Sequence, residues 1–409
     1  MLLIYRLFFL TLGAILALAP LAAKPAVTFG GGILAVLAIL VLIQNPRAVR
    51  WPLFLMAVCT GLISFCIIGI PGGLDPGHTL ASLPKNVGIM IAGICMVAAA
   101  PLIGTQVKTD EKSMRWMRVY LPLCVFIALA QVLTYQLLGT TPLAVLEDKD
   151  LSENFLNKPL GVLALLLPAF LFPFYGQGMI QKILSGLALL FVGGIGLFFE
   201  SQGAFIAALA IFAAALLPVR SKSLFTALRI LCAVGILGFP FLSQFLFQNY
   251  AAQINDNSIL RKANAAQRLE LWSGLSDHIF DRPFIGFGYD AARLIGEYKS
   301  QGIYQKPNTI THPHNIALQF WLEFGAIGAV FAVICFGTMF RLIEAVPKAA
   351  ARKLGLIMLC SGMTLALVSW GMWQTWWMIL VFLMVTSYKL VTAPEPSAAA
   401  KSTSSPATA

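Results

Sequence analysis

Residues 27–44 read VTFGGGILAVLAILVLIQ, a run without any acidic or basic side chain. A helix needs about 20 apolar residues to cross the hydrocarbon of a bilayer, so this run predicts a membrane span. Similar runs recur along almost the whole chain, near residues 4–22, 27–44, 51–70, 87–105, 118–138, 159–175, 180–199, 202–219, 224–246, 314–340, 354–371 and 373–391. The sequence therefore predicts an all-α, polytopic membrane protein with about twelve transmembrane helices.

The composition indicates the same class of protein. The 409 residues are 59% hydrophobic and 11% charged, whereas a soluble domain is roughly 25% charged. The net charge of +11 would suit a nucleic-acid-binding protein, but the basic residues follow the positive-inside rule of membrane proteins. We therefore expect membrane partners and no nucleic acid.

The charge distribution also predicts the orientation of the chain. If the N-terminus is cytoplasmic, the inner loops contain a basic set: Arg47, Arg50, Lys108, Lys112, Arg115, Arg118, Lys182, Arg220, Lys222, Arg341, Lys348, Arg352 and Lys353. One opposite loop is acidic, with Glu147, Asp148, Asp150 and Glu153. Charge bias and helix count together predict that the long polar segment 247–312 lies outside the cytoplasm.

This orientation divides the chain into four parts. Residues 1–246 are predicted to hold transmembrane helices 1–9, residues 247–312 a periplasmic loop, and residues 313–391 transmembrane helices 10–12. Residues 392–409 have the composition of a disordered tail, which would be cytoplasmic. The first segment resembles a signal peptide, but its long apolar stretch and the charge pattern favour an uncleaved first helix.

The long loop has a pattern of its own. The sequence AAQRLELWSGL at residues 265–275 spaces Leu271, Trp272 and Leu275 along one helix face. The sequence PFIGFG at 283–288 ends such a helix and predicts a tight turn, and a second amphipathic stretch follows at about 289–300. Helices lying on the membrane surface fit this loop better than a folded domain.

The run Thr311-His312-Pro313-His314-Asn315 joins this charged loop to an apolar helix. Proline favours the first turn of a helix, and the partial positive charge of a helix N-terminus disfavours a protonated imidazole. A neutral His314 would suit a general base. A structural histidine that caps the helix is an equally good interpretation, and a metal site is a weaker one because no carboxylate or cysteine set accompanies the pair.

Further polar residues could belong to the same site. Asn315, Gln319 and Glu323 lie four residues apart and share one helix face, either facing a polar cavity or holding helices together. Arg268 and Arg261 form a basic strip that could bind phosphate or lipid headgroups. Gln202, in a short outer turn after Glu200 and Ser201, could face the same cavity or simply serve the turn.

Two other residue sets have plain interpretations. The seven cysteines fall inside apolar spans and predict neither a disulfide framework nor a zinc site. Trp370, Trp373, Trp376 and Trp377 suggest an interfacial aromatic belt, with the lining of a lipid tail as the alternative. The sequence contains no nucleotide-binding loop or metal motif at a relevant position, so no cofactor and no metal is expected.

These motifs together resemble the O-antigen ligase and O-antigen polymerase superfamily. The resemblance rests on about 65 residues that carry RLELW at 268–272, PFIGFG at 283–288, HPHN at 312–315, Leu318-Gln319, and EFG at 323–325 with Gly328. The order and the extracytoplasmic loop between two late spans are similar as well. The motifs do not separate ligases from polymerases.

The resemblance implies a GT-C-like membrane glycosyltransferase that acts without a metal on the periplasmic face of the bacterial inner membrane. The donor would be a glycan on undecaprenyl pyrophosphate, and a ligase would use lipid A-core as the acceptor. By similarity, His314 corresponds to the essential histidine, with Glu323 or Asn315 as an orienting partner, and Arg268 to an arginine that engages the pyrophosphate. Many members carry a second arginine where this sequence has Gln202, so Arg261 or Gln202 would take its place, and His312 and Gln319 are expected to contact substrate.

Three alternatives to a ligase remain at this stage. A polymerase that joins repeat units and a protein O-oligosaccharyltransferase belong to the same superfamily. A transporter of lipid or polysaccharide belongs to a different class, and it would be expected to have broken helices with paired charges in both halves. The sequence has one such carboxylate, Glu323, without a symmetric partner.

Overall fold

The computed structural model describes residues 2–139, 156–172, 194, 202–257, 265–293, 295 and 312–394, and no strand occurs among them. Within these residues the helices are α1 (Leu2–Gln44), α2 (Leu53–Ile68), α3 (Pro76–Thr109), α4 (Glu111–Leu138), α5 (Asn157–Leu171), α6 (Gln202–Leu216), α7 (Lys222–Asp256), α8 (Ala265–Ile279), α9 (Ile316–Glu344), α10 (Ala349–Val368) and α11 (Thr375–Val391). The prediction of an all-helical chain is confirmed for this part of the protein.

The helices are those of a multi-pass membrane protein. Six of them, α1, α3, α4, α7, α9 and α10, are long and apolar enough to cross a bilayer, and α2, α5, α6 and α11 are shorter apolar helices. The seventh predicted span, 180–199, lies outside the described residues apart from Gly194. The total of twelve spans therefore stays a prediction.

Helix α1 contains two of the predicted spans. Its backbone leaves the helical region at Ala22, with φ −155° and ψ 72°. The side chain of Ile15 lies so close to Gly30 that a Cβ there would be 2.3 Å from Ile15 Cγ1. In a straight helix residues 15 positions apart are separated by about 22 Å. The two halves of α1 therefore fold back on each other, as the separate runs 4–22 and 27–44 predict.

The chain divides into two compact units. The first comprises Met1–Leu53, Ile89–Ala208 and Met378–Ala409. Here α1 packs against α4 and α5, and Arg6 Nη2 donates to Asp110 Oδ2 over 3.0 Å. Asp110 also caps α4 by accepting from the Ser113 amide, so one carboxylate both starts α4 and ties it to α1.

The second unit comprises Phe54–Gly88 and Leu209–Trp377, and it contains most of the sequence motifs. Helix α7 runs to Asp256, ten residues beyond the predicted end of the ninth span. The helix expected at 265–275 is confirmed as α8, and it packs against both α7 and α9. The second amphipathic stretch is described only in part, where Ala291–Arg293 forms a short 3₁₀ turn.

A core cluster fixes α8 to its neighbours. Leu275 and Ile279 of α8 pack with Leu318 and Leu322 of α9, and Trp272 packs against Phe239 of α7 with ring centroids 5.2 Å apart. Full burial of a leucine or isoleucine side chain contributes about 1.5–3 kcal/mol. The part of the long loop that follows α7 is therefore bound into the helix bundle through α8.

Helix α9 is interrupted at Gly325, where φ is 61° and ψ is −157°, a conformation that is essentially restricted to glycine. The loop 283–288 occupies the break. Phe287 and Gly288 donate their amides to the carbonyls of Leu322 and Glu323, while Ala326 and Ile327 donate to the carbonyls of Pro283 and Phe284. The loop thus replaces the hydrogen bonds that the helix loses there.

Candidate active site

The start of α9 determines the position of His314. Asn315 caps the helix, because its Oδ1 accepts from the Leu318 amide over 2.9 Å, and its Nδ2 donates to the Leu367 carbonyl at the end of α10. His314 adopts φ +53°, an uncommon conformation for a residue other than glycine. Such strain persists only where surrounding contacts impose it, and it is concentrated at functional sites.

One hydrogen bond determines the tautomer of His314. Its Nδ1 lies 2.5 Å from the carbonyl oxygen of Ser369, which can only accept, so Nδ1 carries a proton. In the neutral ring Nε2 then has a free lone pair. Burial lowers the pKa of His314 from its ordinary 6.5, and the nearby Arg268 charge lowers it further, against the opposing effect of the Ser369 bond. The imidazole is therefore neutral at pH 7 and can accept a proton at Nε2.

Arg268 lies beside this imidazole. Its Nη1 donates to the Val368 carbonyl over 2.5 Å, next to the Ser369 carbonyl that His314 uses. Burial lowers the pKa of Arg268, yet a guanidinium stays charged in proteins. On the same face of α8, Trp272 Nε1 donates to the Pro313 carbonyl over 2.9 Å. The structure thus brings the motifs at 268–272 and 312–315 together.

His312 contacts His314 directly, with ring centroids 4.1 Å apart. Trp376 Nε1 donates to Gln374 Oε1 over 3.0 Å, which leaves the amide nitrogen of Gln374 to donate to His312 Nε2 over 3.3 Å. A Cβ at Gly371 would be 2.8 Å from the His312 Cβ, so only glycine allows this approach. His312 Nε2 is therefore placed to accept from the Gln374 amide.

Gln319 and Glu323 form a buried polar chain one turn further along α9. Gln319 Nε2 donates to Glu323 Oε1, and Trp373 Nε1 donates to Glu323 Oε2, each over 2.7 Å. Gln319 Oε1 accepts from the Met372 amide over 2.9 Å. The chain ties the turn between α10 and α11 to α9, and this turn supplies the carbonyls and side chains that hold both histidines.

By the resemblance, Glu323 or Asn315 was predicted to orient the imidazole of His314. In the structure the partner of His314 Nδ1 is the Ser369 carbonyl, whereas Asn315 caps α9 and Glu323 is held by Gln319 and Trp373. Their catalytic contribution remains a prediction. Arg261 lies outside the described residues, as does the side chain of Gln202, so the position of a second phosphate-binding group also stays a prediction.

A cavity of about 230 Å³ opens beside His312. Two of the predicted residues, His312 and Gln319, lie in its wall, and eight further residues complete it: His78, Ser82, Lys85, Tyr289, Asp290, Gly371, Trp373 and Gln374. Burial raises the pKa of Tyr289 to about 12, so its hydroxyl stays protonated. Asp290 lies two residues after the PFIGFG motif, and His78 is one of only four histidines. Both residues could have been singled out from the sequence on these grounds, but they were not.

The four tryptophans are not a lipid-facing belt. Trp370, Trp373, Trp376 and Trp377 are between 3% and 8% exposed, and the Trp370 ring packs against Trp376 and Trp377 at 4.8 and 5.0 Å. The prediction of a belt is therefore wrong for this turn. Two of the four can be buried without leaving an indole N–H unpaired, because Trp373 donates to Glu323 and Trp376 donates to Gln374.

Comparison with known proteins confirms the resemblance noted from the motifs. Residues 187–333, which include α7, α8 and α9 as far as residue 333, match the family described as O-antigen ligase. A "Putative polysaccharide ligase" of Rickettsia typhi is 23% identical over 181 residues, which cover 42% of this chain and 43% of that protein. A protein of the same description from Rickettsia prowazekii is 25% identical over 162 residues, or 37% of this chain and 39% of that protein. The matched part thus spans about two fifths of the length of these relatives.

Proposed function

We propose that this protein is an O-antigen ligase-type glycosyltransferase. It transfers a glycan from undecaprenyl pyrophosphate to a lipid A-core acceptor on the periplasmic face of the bacterial inner membrane. The observation that carries the proposal is the pairing of a neutral His314, whose Nδ1 donates to the Ser369 carbonyl, with the partly buried guanidinium of Arg268. The similarity to O-antigen ligases and polysaccharide ligases supports the reaction class.

The reaction follows from the chemistry of these two groups. His314 Nε2 takes the proton of the acceptor hydroxyl as the hydroxyl oxygen attacks the anomeric carbon of the donor sugar. The bond between that carbon and the pyrophosphate breaks, and undecaprenyl pyrophosphate leaves with the bonding electrons. Arg268 stabilises the negative charge that develops on the leaving group. The step needs a base and a cation, and this chain supplies both without a metal.

The test uses the purified full-length protein in lipid nanodiscs with a lipid-linked glycan donor and lipid A-core as acceptor, with chelator and without ATP. Wild type is expected to transfer the glycan. The variant His314→Ala is expected to lose about 10²–10⁴-fold in rate at normal membrane levels, the usual contribution of general-base catalysis. The matched control is His278→Ala, since His278 is 44% exposed on α8 and pairs with Asp281.

The outcomes separate the candidate functions. Glycan attached to lipid A-core indicates a ligase, elongation of the donor glycan alone indicates a polymerase, and transfer to a protein indicates an oligosaccharyltransferase. Movement of donor across vesicles without any transfer indicates a transporter. Full transfer activity in the His314→Ala variant would remove His314 from the mechanism.

A further inference from the structure

The cavity beside His312 has the size of a site for one sugar ring. Its volume of about 230 Å³ is below the roughly 300–1,000 Å³ of pockets that enclose drug-sized ligands. The space that the described residues enclose is therefore suited to a single sugar ring rather than to a whole oligosaccharide. The mechanism above uses His314 and Arg268, neither of which lines the cavity, so the cavity remains without an assigned ligand.

The walls of the cavity have the chemistry that binds sugars. The rings of Tyr289 and Trp373 lie 4.7 Å apart and form an apolar surface, on which the C–H face of a pyranose can pack. Asp290 offers carboxylate oxygens to sugar hydroxyl groups, and Gln374 offers an amide. A pocket of aromatic walls with a few fixed polar groups is typical of small-molecule sites.

Asp290 is held in place more firmly than a loop carboxylate needs to be. Its φ is +53°, and its Oδ2 accepts from His78 Nε2 and from Arg293 Nε, each over 3.2 Å. It directly follows Tyr289, whose hydroxyl accepts from Asn86 over 2.8 Å. The side chain remains 20% exposed, so a ligand can reach it. A strained backbone and two hydrogen-bond donors, His78 and Arg293, fix the carboxylate in advance of binding.

The cavity also lies next to the proposed base. Along the turn after α10, Val368 contacts Arg268, Ser369 contacts His314, Gly371 contacts His312, and Trp373 and Gln374 line the cavity. Arg268, which would stabilise the leaving pyrophosphate, and the cavity thus lie at opposite ends of this series of contacts. The contacts to His314 and His312 come between them. In an in-line displacement the acceptor hydroxyl approaches the anomeric carbon from the side opposite the leaving group.

We propose that this cavity is the acceptor-sugar subsite. Asp290, positioned by His78 and Arg293, accepts hydrogen bonds from hydroxyl groups of the sugar ring that carries the attacking hydroxyl. This assignment rests on the proposed glycosyl transfer and adds to it the place of the acceptor. It makes Asp290 a specificity-determining residue for a neutral polyhydroxylated ring.

The first experiment separates acceptor from donor kinetically. Asparagine tolerates the positive φ of position 290 and keeps one carbonyl acceptor, but it lacks the charge, so Asp290→Asn is the conservative variant. Its KM for lipid A-core is expected to rise about 10–100-fold, the range for losing a charged hydrogen bond, while its KM for the lipid-linked donor changes less than about twofold. The matched control is Asp281→Asn, since Asp281 is 70% exposed and pairs with the surface His278.

The second experiment measures binding on the wild-type protein and needs no turnover. Diethyl pyrocarbonate modifies accessible imidazoles, and the side chains of His78 and His278 are 34% and 44% exposed. Core oligosaccharide released from lipopolysaccharide is expected to slow modification of His78 severalfold and to leave His278 unchanged. Undecaprenyl pyrophosphate alone is expected to protect neither, and mass spectrometry of the two peptides gives both rates.

The outcomes distinguish this inference from the proposed function. Protection of His78 without any transfer supports the subsite and overturns the transfer reaction. Normal transfer without protection of His78, or with an unchanged acceptor KM in Asp290→Asn, overturns the subsite alone. Equal protection by donor and oligosaccharide, or a raised donor KM in Asp290→Asn, also overturns it, and neither transfer nor protection overturns both.

Discussion

At the scale of single residues, the site depends on which atoms are free to act. The carbonyl of Ser369 holds the proton on His314 Nδ1, and the amide of Gln374 makes His312 Nε2 an acceptor. The two rings lie 4.1 Å apart. Each ring therefore has one nitrogen whose role is set by a partner from the turn after α10.

The pH dependence of transfer should report the state of His314. Burial lowers the pKa of this imidazole below 6.5, and the base works only in its neutral form. We therefore expect kcat/KM to fall on an acid limb whose midpoint lies below pH 6.5, as the folded pKa is crossed. A rate profile measured at saturating donor checks this, and an acid limb centred above pH 7 would contradict it.

The charge of Arg268 and its shape make separate contributions. Arg268→Lys keeps the charge but lacks the planar, forked set of N–H donors with which a guanidinium binds two phosphate oxygens. The donor KM is therefore expected to rise roughly tenfold in Arg268→Lys, against roughly a hundredfold in Arg268→Ala. Because the Arg268 charge lowers the pKa of His314, the alanine variant should also shift the acid limb to higher pH, whereas the lysine variant should not. Donor kinetics at several pH values measure both effects, and wild-type behaviour of both variants would exclude Arg268 as the pyrophosphate ligand.

At the scale of elements, the break in α9 and the loop 283–288 depend on each other. The loop fills the gap in the helix, and its Phe287 carbonyl accepts from the Leu74 amide over 3.1 Å, which connects it to the turn before α3. Asp290 follows two residues after this loop, and Glu323 precedes Gly325 by two residues. The break therefore positions groups of the candidate site as well as the backbone.

Gly325 should be the glycine of α9 that tolerates substitution least. A Cβ at this position would lie 2.3 Å from the Phe284 carbonyl carbon, and the backbone conformation is nearly restricted to glycine. Gly325→Ala is expected to destabilise the protein by about 3 kcal/mol, as strain and overpacking add. Gly337→Ala in the same helix is the control, because nothing lies within 4 Å of its Cβ. Unfolding midpoints in detergent compare the two, and equal midpoints would show that the break is not required.

At the scale of the whole molecule, function depends on the side of the membrane that the site faces. Helix α7 begins at Lys222 and ends at Asp256, and its 35 residues make a helix of about 52 Å, longer than the roughly 30 Å hydrocarbon core. The two ends of α7 should therefore lie on opposite sides. The basic loop before Lys222 predicts that this end is cytoplasmic.

Cysteine labelling tests this orientation. The seven native cysteines are replaced, and single cysteines are introduced at Asp281, which is 70% exposed, and at the exposed Lys222. In intact cells with a permeable outer membrane, an impermeant maleimide should label Asp281→Cys, and Lys222→Cys only after the inner membrane is opened. The reverse pattern would place the candidate site in the cytoplasm and remove the proposed donor from its reach.

The sequence predicted the positions of the helices more completely than the arrangement of the candidate site. Apolar runs predicted most described helices within a few residues, because the bilayer thickness sets their length directly. The motifs at 268–272, 283–288 and 312–315 indicated the candidate site. Glycine and proline restrict the local backbone, and charged residues are costly next to lipid, so each can be interpreted without knowledge of the fold. The extension of α7 to Asp256, ten residues beyond the apolar run, was not visible in the run lengths because polar residues interrupt that stretch.

By itself, the sequence determined that this is a helical, multi-pass membrane protein, since burial in lipid acts on each residue locally. Its motifs also indicated which segments form the candidate site. Only the tertiary structure decided which nitrogen of His314 carries the proton, which carboxylate lines the cavity, and that the tryptophans of the turn are buried. Those properties arise where segments distant in sequence meet, as Ser369 meets His314 and His78 meets Asp290. Hydrogen bonds act over about 3 Å, so their partners are set by packing rather than by position along the chain.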